Sequence, residues 1–300
     1  KRPAAYLQKH LADLIKKPFF SPSFFTVQEF FAKSTDYRLA DFYIQFFTLH
    51  RIYNQLLREE GLDPISGNKF FPLAKIMLAG FSQIDIDLVD ADKIYRDLED
   101  ISVINKDFDY LSPEQYQYLS QFWTSYSQGK HKRQQELFIK MWRRMPKLYH
   151  KFHEALKTQG YITNGMIYRE LAQGNAASQA FIADFEKGKV VFAGFNALSN
   201  AEARIFVNLQ EADKALFYFD ADNYYLDDPL QEAGLFLRKN IHQLGIKNVF
   251  ENSPSLMRNE RHQVNVYSVQ GQAAQAKILN SILKENYTGT GKETSVAVVL

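Results

Sequence analysis

Apolar residues recur at helical spacing through the first half of the chain and in short continuous runs through the second. Tyr6, Leu7, His10, Leu11, Leu14 and Ile15 predict a helix over 3–17, stopped by Pro18. Ser23-Phe24-Phe25-Thr26-Val27 reads as a short strand, followed by a helix carrying Phe30 and Phe31. Residues 36–183 read as almost wholly helical. Phe42, Phe46, Leu49, Tyr53, Leu56 and Leu57 share one helix, with Gly61 as its C-cap. Further helices are expected over 70–80 and 90–100, and Ser112-Pro113-Glu114 opens another. A long helix over 130–158 carries Leu137, Met141, Met145, Leu148, Phe152 and Leu156, with a kink or a break expected at Pro146. Thr163 caps a short helix ending near Gly174.

From residue 188 the pattern changes. Lys189-Val190-Val191-Phe192-Ala193-Gly194-Phe195, Ala215-Leu216-Phe217-Tyr218-Phe219, Val264–Val269 and 295–300 read as strands. They alternate with helices opened by Ser199 and by Asp228-Pro229, and with a helix over 271–285. Continuous apolar strands alternating with helices predict a parallel sheet covered on both faces. The expected fold class is therefore α/β. Residues 1–35 and 186–300 would share one sheet, and 36–185 would form a helical insertion.

Composition narrows the classes. Of 300 residues, 46% are hydrophobic and 23% charged, which excludes a disordered chain. Net charge is +2, so any polyanion must meet a local patch. With no Cys there is no disulfide scaffold, thiolate metal site or Cys nucleophile, which fits a reducing cytoplasm. No apolar run reaches the ~20 residues needed to span a bilayer. The chain opens on Lys1-Arg2-Pro3 and closes on an apolar run ending at Leu300, which leads us to expect a fragment of a longer protein.

Several groups carry candidate chemistry. Lys130, His131, Lys132, Arg133, Lys140, Arg143, Arg144, Lys147 and Lys151 form one basic cluster. On a helix, Arg133, Lys140, Arg144, Lys147 and Lys151 share a face that could meet several backbone phosphates. The same residues also suit a solvated or ion-paired face. Asp220 and Asp222 follow an apolar strand, where an Asp-x-Asp pair can hold magnesium for phosphotransfer. They equally suit a loop entering a helix. His150 and His153 lie three apart on a helix but lack the His-Glu-x-x-His metal pattern. Asp85, Asp87, Asp90, Asp92, Asp97, Glu99 and Asp100 read as a solvated, capping face. Gly289-Thr290-Gly291-Lys292-Glu293-Thr294 imitates a phosphate-binding loop, but Glu293 replaces the hydroxyl that would hold magnesium, and the segment runs from helix to strand.

The order of elements resembles a superfamily I helicase, in which a helical 1B subdomain is inserted into a RecA-like 1A domain. Three segments carry a more specific resemblance. Lys17-Pro18 through Phe30 resembles the P-x-x-S-P-x-x-x-T-[IV]-x-E-[LF] segment of bacterial AddB-like proteins of the PD-(D/E)XK nuclease family. Leu88-Val89-Asp90-Ala91-Asp92-Lys93-Ile94-Tyr95 resembles that family's MVDADKLF stretch. Gly194-Phe195-Asn196-Ala197-Leu198-Ser199-Asn200-Ala201-Glu202 resembles its GFN-x-L-[ST/N]-x-x-E stretch. These are family markers and not catalytic signatures.

The resemblance implies an inactivated helicase-like region of an ATP-dependent exonuclease subunit, serving DNA repair and recombination in the cytoplasm. In an active helicase one strand ends in Asp-Glu and the next in Gly-Asp-x-x-Gln. Here Ala193-Gly194-Phe195 and Phe219-Asp220-Ala221-Asp222-Asn223 stand there. Without that carboxylate, magnesium–ATP hydrolysis lacks its electrostatic organiser. No cofactor is expected in the fragment, and a divalent metal is expected for a RecB-type nuclease domain elsewhere. DNA, as single strands or duplex ends, and a motor-bearing subunit are the implied partners. Lys132, Arg133, Lys140, Arg143, Arg144, Lys147 and Lys151 are the candidate DNA contacts.

Overall fold

The computed structural model describes residues 2–95, 132–183, 188–250, 255–259 and 265–286. Side chains at 132–139 lie outside the description. The chain divides into two units, 1–254 and 255–300.

Local sequence signals explain most of the helices in the first unit. Helix α1 covers Arg2–Ile15 and ends before Pro18. Helix α2 covers Val27–Phe31 and opens on a capping box. Thr26 Oγ1 accepts from the Glu29 N–H at 3.2 Å, and Glu29 Oε2 accepts from the Thr26 N–H at 2.9 Å. Helix α3 covers Phe42–Glu59, its first turn held by Asp41 accepting from the Ile44 N–H at 2.8 Å. It ends as expected at Gly61, whose φ of +73° lets the Leu62 N–H reach back to Leu57 O at 2.8 Å. Helix α4 covers Gly67–Ile86, longer at both ends than the apolar pattern predicts.

Helix α5 covers Lys132–Thr158 as a single helix through Pro146, not as two abutting helices. Thr163 caps α6, Asn164–Ala172, and α7 follows at Ala176–Ala183. One core joins these elements. Phe31, Leu49, Phe70, Phe81, Leu148, Phe152, Leu156, Ile162 and Phe206 are all almost fully buried.

Among the described residues the expected RecA-like sheet does not form. Among them there are two separate two-stranded parallel sheets. One pairs β1, Arg38–Leu39, with β2, Tyr161–Ile162. The other pairs β3, Val190–Ala193, with β4, Ala215–Tyr218, in the register Phe192 to Phe217. A single parallel bridge from Phe217 to Asn248 extends the second. The Asn248 side chain then takes the Phe219 N–H at 3.1 Å and donates to Phe219 O at 3.3 Å.

Three physical reasons account for the correction. First, Ser23–Val27 is not a strand, because the Thr26 and Glu29 capping box starts a helix at Val27. Second, β3 is not covered on both faces, with Val191 56% exposed, whereas a central parallel strand buries both. Third, residues 265–269 form no strand, and Val266 is 89% exposed. The amino-terminal segment meets β3 by ring packing instead, with Phe30 and Phe192 centroids 5.9 Å apart. The α/β, helicase 1A/1B-like expectation is therefore replaced by a mostly helical architecture carrying two small parallel pairs.

Helix α8 covers Asn200–Glu211 and opens on a second capping box, from Ser199 and Glu202. Asp228-Pro229 opens no regular helix. Asp228 Oδ1 accepts from the Leu230 N–H at 2.9 Å in a turn, and short helical pieces follow from Glu232. The second unit contains a short helix, Leu256–Asn259, and a longer one, Gln272–Asn286, as its pattern predicts. Positions 96–100, Ser112–Glu114, Gly289–Thr294, Val264 and 295–300 lie outside the described residues.

Candidate nucleic-acid interface

Helix α5 is amphipathic. Met145, Leu148, Tyr149, Phe152 and Leu156 face the core, and the cations flank them. Packing against α3 brings this flank to Glu59 and Glu60, the last residue of α3 and its C-cap. Between them lies a cleft of about 440 Å³ lined by Lys140, Arg143, Arg144, Lys147 and the two glutamates. The side chains of Lys132 and Arg133 lie outside the described residues.

The glutamates divide the cluster. Arg144 is only 8% exposed and donates through Nε to Glu60 Oε1 at 2.7 Å and through Nη2 to Glu60 Oε2 at 2.6 Å. This two-point pair holds the Glu60 carboxyl below its ordinary range and raises the guanidinium above its own, against the opposing effect of burial. Lys147 and Lys151 both donate to Glu59, at 2.7 and 3.1 Å. Their hydrogen bonds, Lys147 first, lower the Glu59 carboxyl to about 2. Arg144 is thus a structural tie. Among the described residues, five cations, Lys140, Arg143, Arg144, Lys147 and Lys151, stand beside the two carboxylates Glu59 and Glu60, and Arg143 makes a further interaction of its own.

A second cluster is buried, and the sequence pattern misplaces it. Asp85, expected on a solvated acidic face, is 1% exposed at the end of α4. It accepts from the Tyr149 hydroxyl on α5 and from Arg169 Nε on α6 at 2.9 Å. Arg169 also donates through Nη2 to the carbonyls of Ile84 at 2.7 Å and Val89 at 2.5 Å. His153 Nε2 lies 3.2 Å from Asp85 Oδ2, but out of line for a hydrogen bond, so both atoms are without such a partner. Burial and the Asp85 charge push the Tyr149 hydroxyl well above its ordinary value. Gly165 makes the approach possible, since a Cβ there would stand 3.0 Å from Asp85 Cβ and 3.2 Å from Ser82 O. The cluster ties three helices together. His150 faces a different carboxylate, Asp92, at 3.1 Å, so the two histidines do not converge on one ligand.

Asp222 is buried and caps a helical turn, Asn223–Leu226, by accepting from the Tyr224 N–H at 2.8 Å. Asp220 is exposed, and its backbone carbonyl accepts from the Tyr225 hydroxyl at 3.1 Å. Among the described residues no three His, Asp or Glu side chains are grouped to hold a metal ion. Among them, too, no helix is long and apolar enough to cross a membrane.

The three family-like segments turn out to be turn and cap devices. Thr26 and Glu29 start α2. Asp90 Oδ1 accepts from the Lys93 N–H at 3.0 Å and starts the helical turn at 91–95. Gly194, at φ +77°, leaves β3, and Ser199 with Glu202 starts α8. Comparison of the chain with family models, with curated proteins and with solved structures finds no match.

Proposed function

We propose that this chain is a non-catalytic, DNA-binding scaffold region of an AddB-like nuclease that acts in DNA repair in the cytoplasm. The observation that carries the reading is the cleft between α3 and α5, where the cations outnumber the carboxylates. Such a surface neutralises backbone phosphates without reading sequence, and its affinity falls steeply with salt. The three family-like segments support the same assignment. In that reading a motor-bearing subunit is the protein partner, and the divalent metal belongs to a nuclease portion of the protein.

The test is oligonucleotide binding as a function of salt, with Lys140, Arg143 and Lys147 reversed to Glu. Arg144 is left intact, because its reversal would break a buried pair and report on folding. The triple variant should lose affinity equally across sequences and lower the salt slope by about three. Unchanged affinity removes this surface. Magnesium-dependent phosphatase turnover abolished by Asp220→Asn would instead favour a phosphotransfer enzyme. Partner capture without DNA affinity would favour a pure interaction module.

A further inference from the structure

The outer face of α3 combines two chemistries that its inner face lacks. Phe42 and Phe46 pack inward, with Phe46 only 6% exposed. Their neighbours Tyr43 and Phe47 point to solvent, 65% and 64% exposed. They are not loose. Tyr43 is edge-on to Phe42 at 5.7 Å, and Phe47 is edge-on to Phe46 at 5.2 Å, so each ring is braced while its outer face stays open. At i+4 spacing the two rings lie on one side of the helix. The next position in that series is Arg51, and Arg58 follows two turns later; both are exposed.

The charges differ from those in the cleft. On α5, Arg144 is paired with Glu60, and Lys147 and Lys151 share the single carboxylate of Glu59. Among the described residues, neither Arg51 nor Arg58 has a carboxylate partner. Exposed aromatic faces beside unmatched arginines suit a ligand with flat π-faces on a polyanionic backbone. That description fits single-stranded nucleic acid. A duplex hides its base faces by stacking, whereas a free strand can lay successive bases on aromatic rings. The row also has length and direction. Tyr43 to Arg58 spans about 22 Å of helix at 1.5 Å per residue. It ends next to Glu59, at the rim of the cationic cleft.

We propose that this face of α3 is a stacking platform for single-stranded nucleic acid. Tyr43 and Phe47 receive bases, Arg51 and Arg58 meet phosphates, and the strand continues into the cleft. This rests on the DNA-binding reading above and assigns it a strand form and an entry path.

The experiment uses fluorescence anisotropy of the 300-residue chain with a labelled oligothymidylate of about 20 nucleotides and an abasic oligonucleotide of equal length. The chain should prefer the thymidylate. Tyr43→Ala with Phe47→Ala should weaken thymidylate binding by about 30-fold or more, and abasic binding hardly at all. Phe47→Trp should retain binding, because the indole supplies an equal or larger face. Arg51→Gln with Arg58→Gln should weaken both probes and lower the salt slope. All four side chains are exposed, and far-UV circular dichroism of each variant serves as the folding control.

Thymidylate affinity within twofold of wild type in the double alanine variant overturns the platform. So does equal wild-type affinity for the two probes. In either case the cleft still stands if charge reversal at Lys140, Arg143 and Lys147 abolishes binding. Absence of binding to both probes removes the cleft and the platform together. Phe47-dependent binding of an acidic peptide, with no preference for the oligonucleotide, reassigns the face to a protein partner and overturns the proposal.

Discussion

Arg144 and Glu60, 84 residues apart in sequence, meet through two parallel hydrogen bonds of 2.7 and 2.6 Å. The pair closes the floor of the cationic cleft and fixes α5 against the end of α3. Its two members are unequally exposed, 8% for Arg144 and 42% for Glu60, so they should respond differently to substitution. Glu60→Gln leaves a buried guanidinium without its counter-charge, which should cost roughly 2–3 kcal/mol. Arg144→Met leaves a carboxylate that water can reach, and should cost about 1 kcal/mol. Denaturant unfolding measures both, and the reverse ranking would refute the asymmetry.

Glu59 provides a pH test. Lys147 and Lys151 hold its carboxyl at about 2, below its ordinary 4.5. A lowered carboxyl stabilises the fold fully above its ordinary value and loses that contribution as pH falls towards the lowered one. The stability gap between wild type and Glu59→Gln should therefore be present at pH 6 and close between about 4.5 and 2. A gap that ignores pH would show that the ammonium contacts do not hold in solution.

The same substitution tests the cleft from the opposite side. Glu59→Gln releases Lys147 and Lys151 from their carboxylate and raises the local positive charge. Oligonucleotide affinity at low salt should rise several-fold, with a steeper salt slope. Weaker binding would mean that Glu59 orients the lysines for their ligand instead of competing with it.

The buried Asp85 cluster should be the least tolerant polar site. Arg169→Met strips the carboxylate of its cationic partner at 1% exposure and should cost about 3–5 kcal/mol. Tyr149→Phe removes one hydrogen bond and should cost about 1–2 kcal/mol. Gly165→Ala forces a methyl to within 3.2 Å of the Ser82 carbonyl and should cost about 1–3 kcal/mol. Thermal unfolding ranks the three, and a neutral Arg169→Met would contradict the network.

Ser199→Ala removes the side-chain acceptor that starts α8 and should cost about 1 kcal/mol, with Thr26→Ala similar at α2. Neither should alter oligonucleotide binding. A binding defect in a stably folded Ser199→Ala chain would assign that segment a contact role instead of a capping one.

Features that depend on neighbours along the chain are legible in the residues themselves. Helices α1, α3 and α5, the cap at Thr163, the Gly61 stop, the Ser199 start and strands β3 and β4 all follow from spacing or from a single capping residue. The capping-box pattern at Thr26 is legible too, but the apolar run before it reads as a strand. Sheet assembly is not legible, because an apolar pentapeptide becomes a parallel strand only when a distant partner and two covering faces exist. Val191 and Val266 lack that cover. The basic cluster is readable as residues. Which cations remain available depends on Glu59 and Glu60, brought in by a helix more than 80 residues away. Likewise, Asp85 sits in a run of acids that all look solvated in sequence, and its burial follows from Arg169 and Tyr149 arriving on two other helices. Local hydrogen bonds write themselves into nearby residue types; charge pairing and sheet pairing act across long loops, and their outcome is set only when the elements pack.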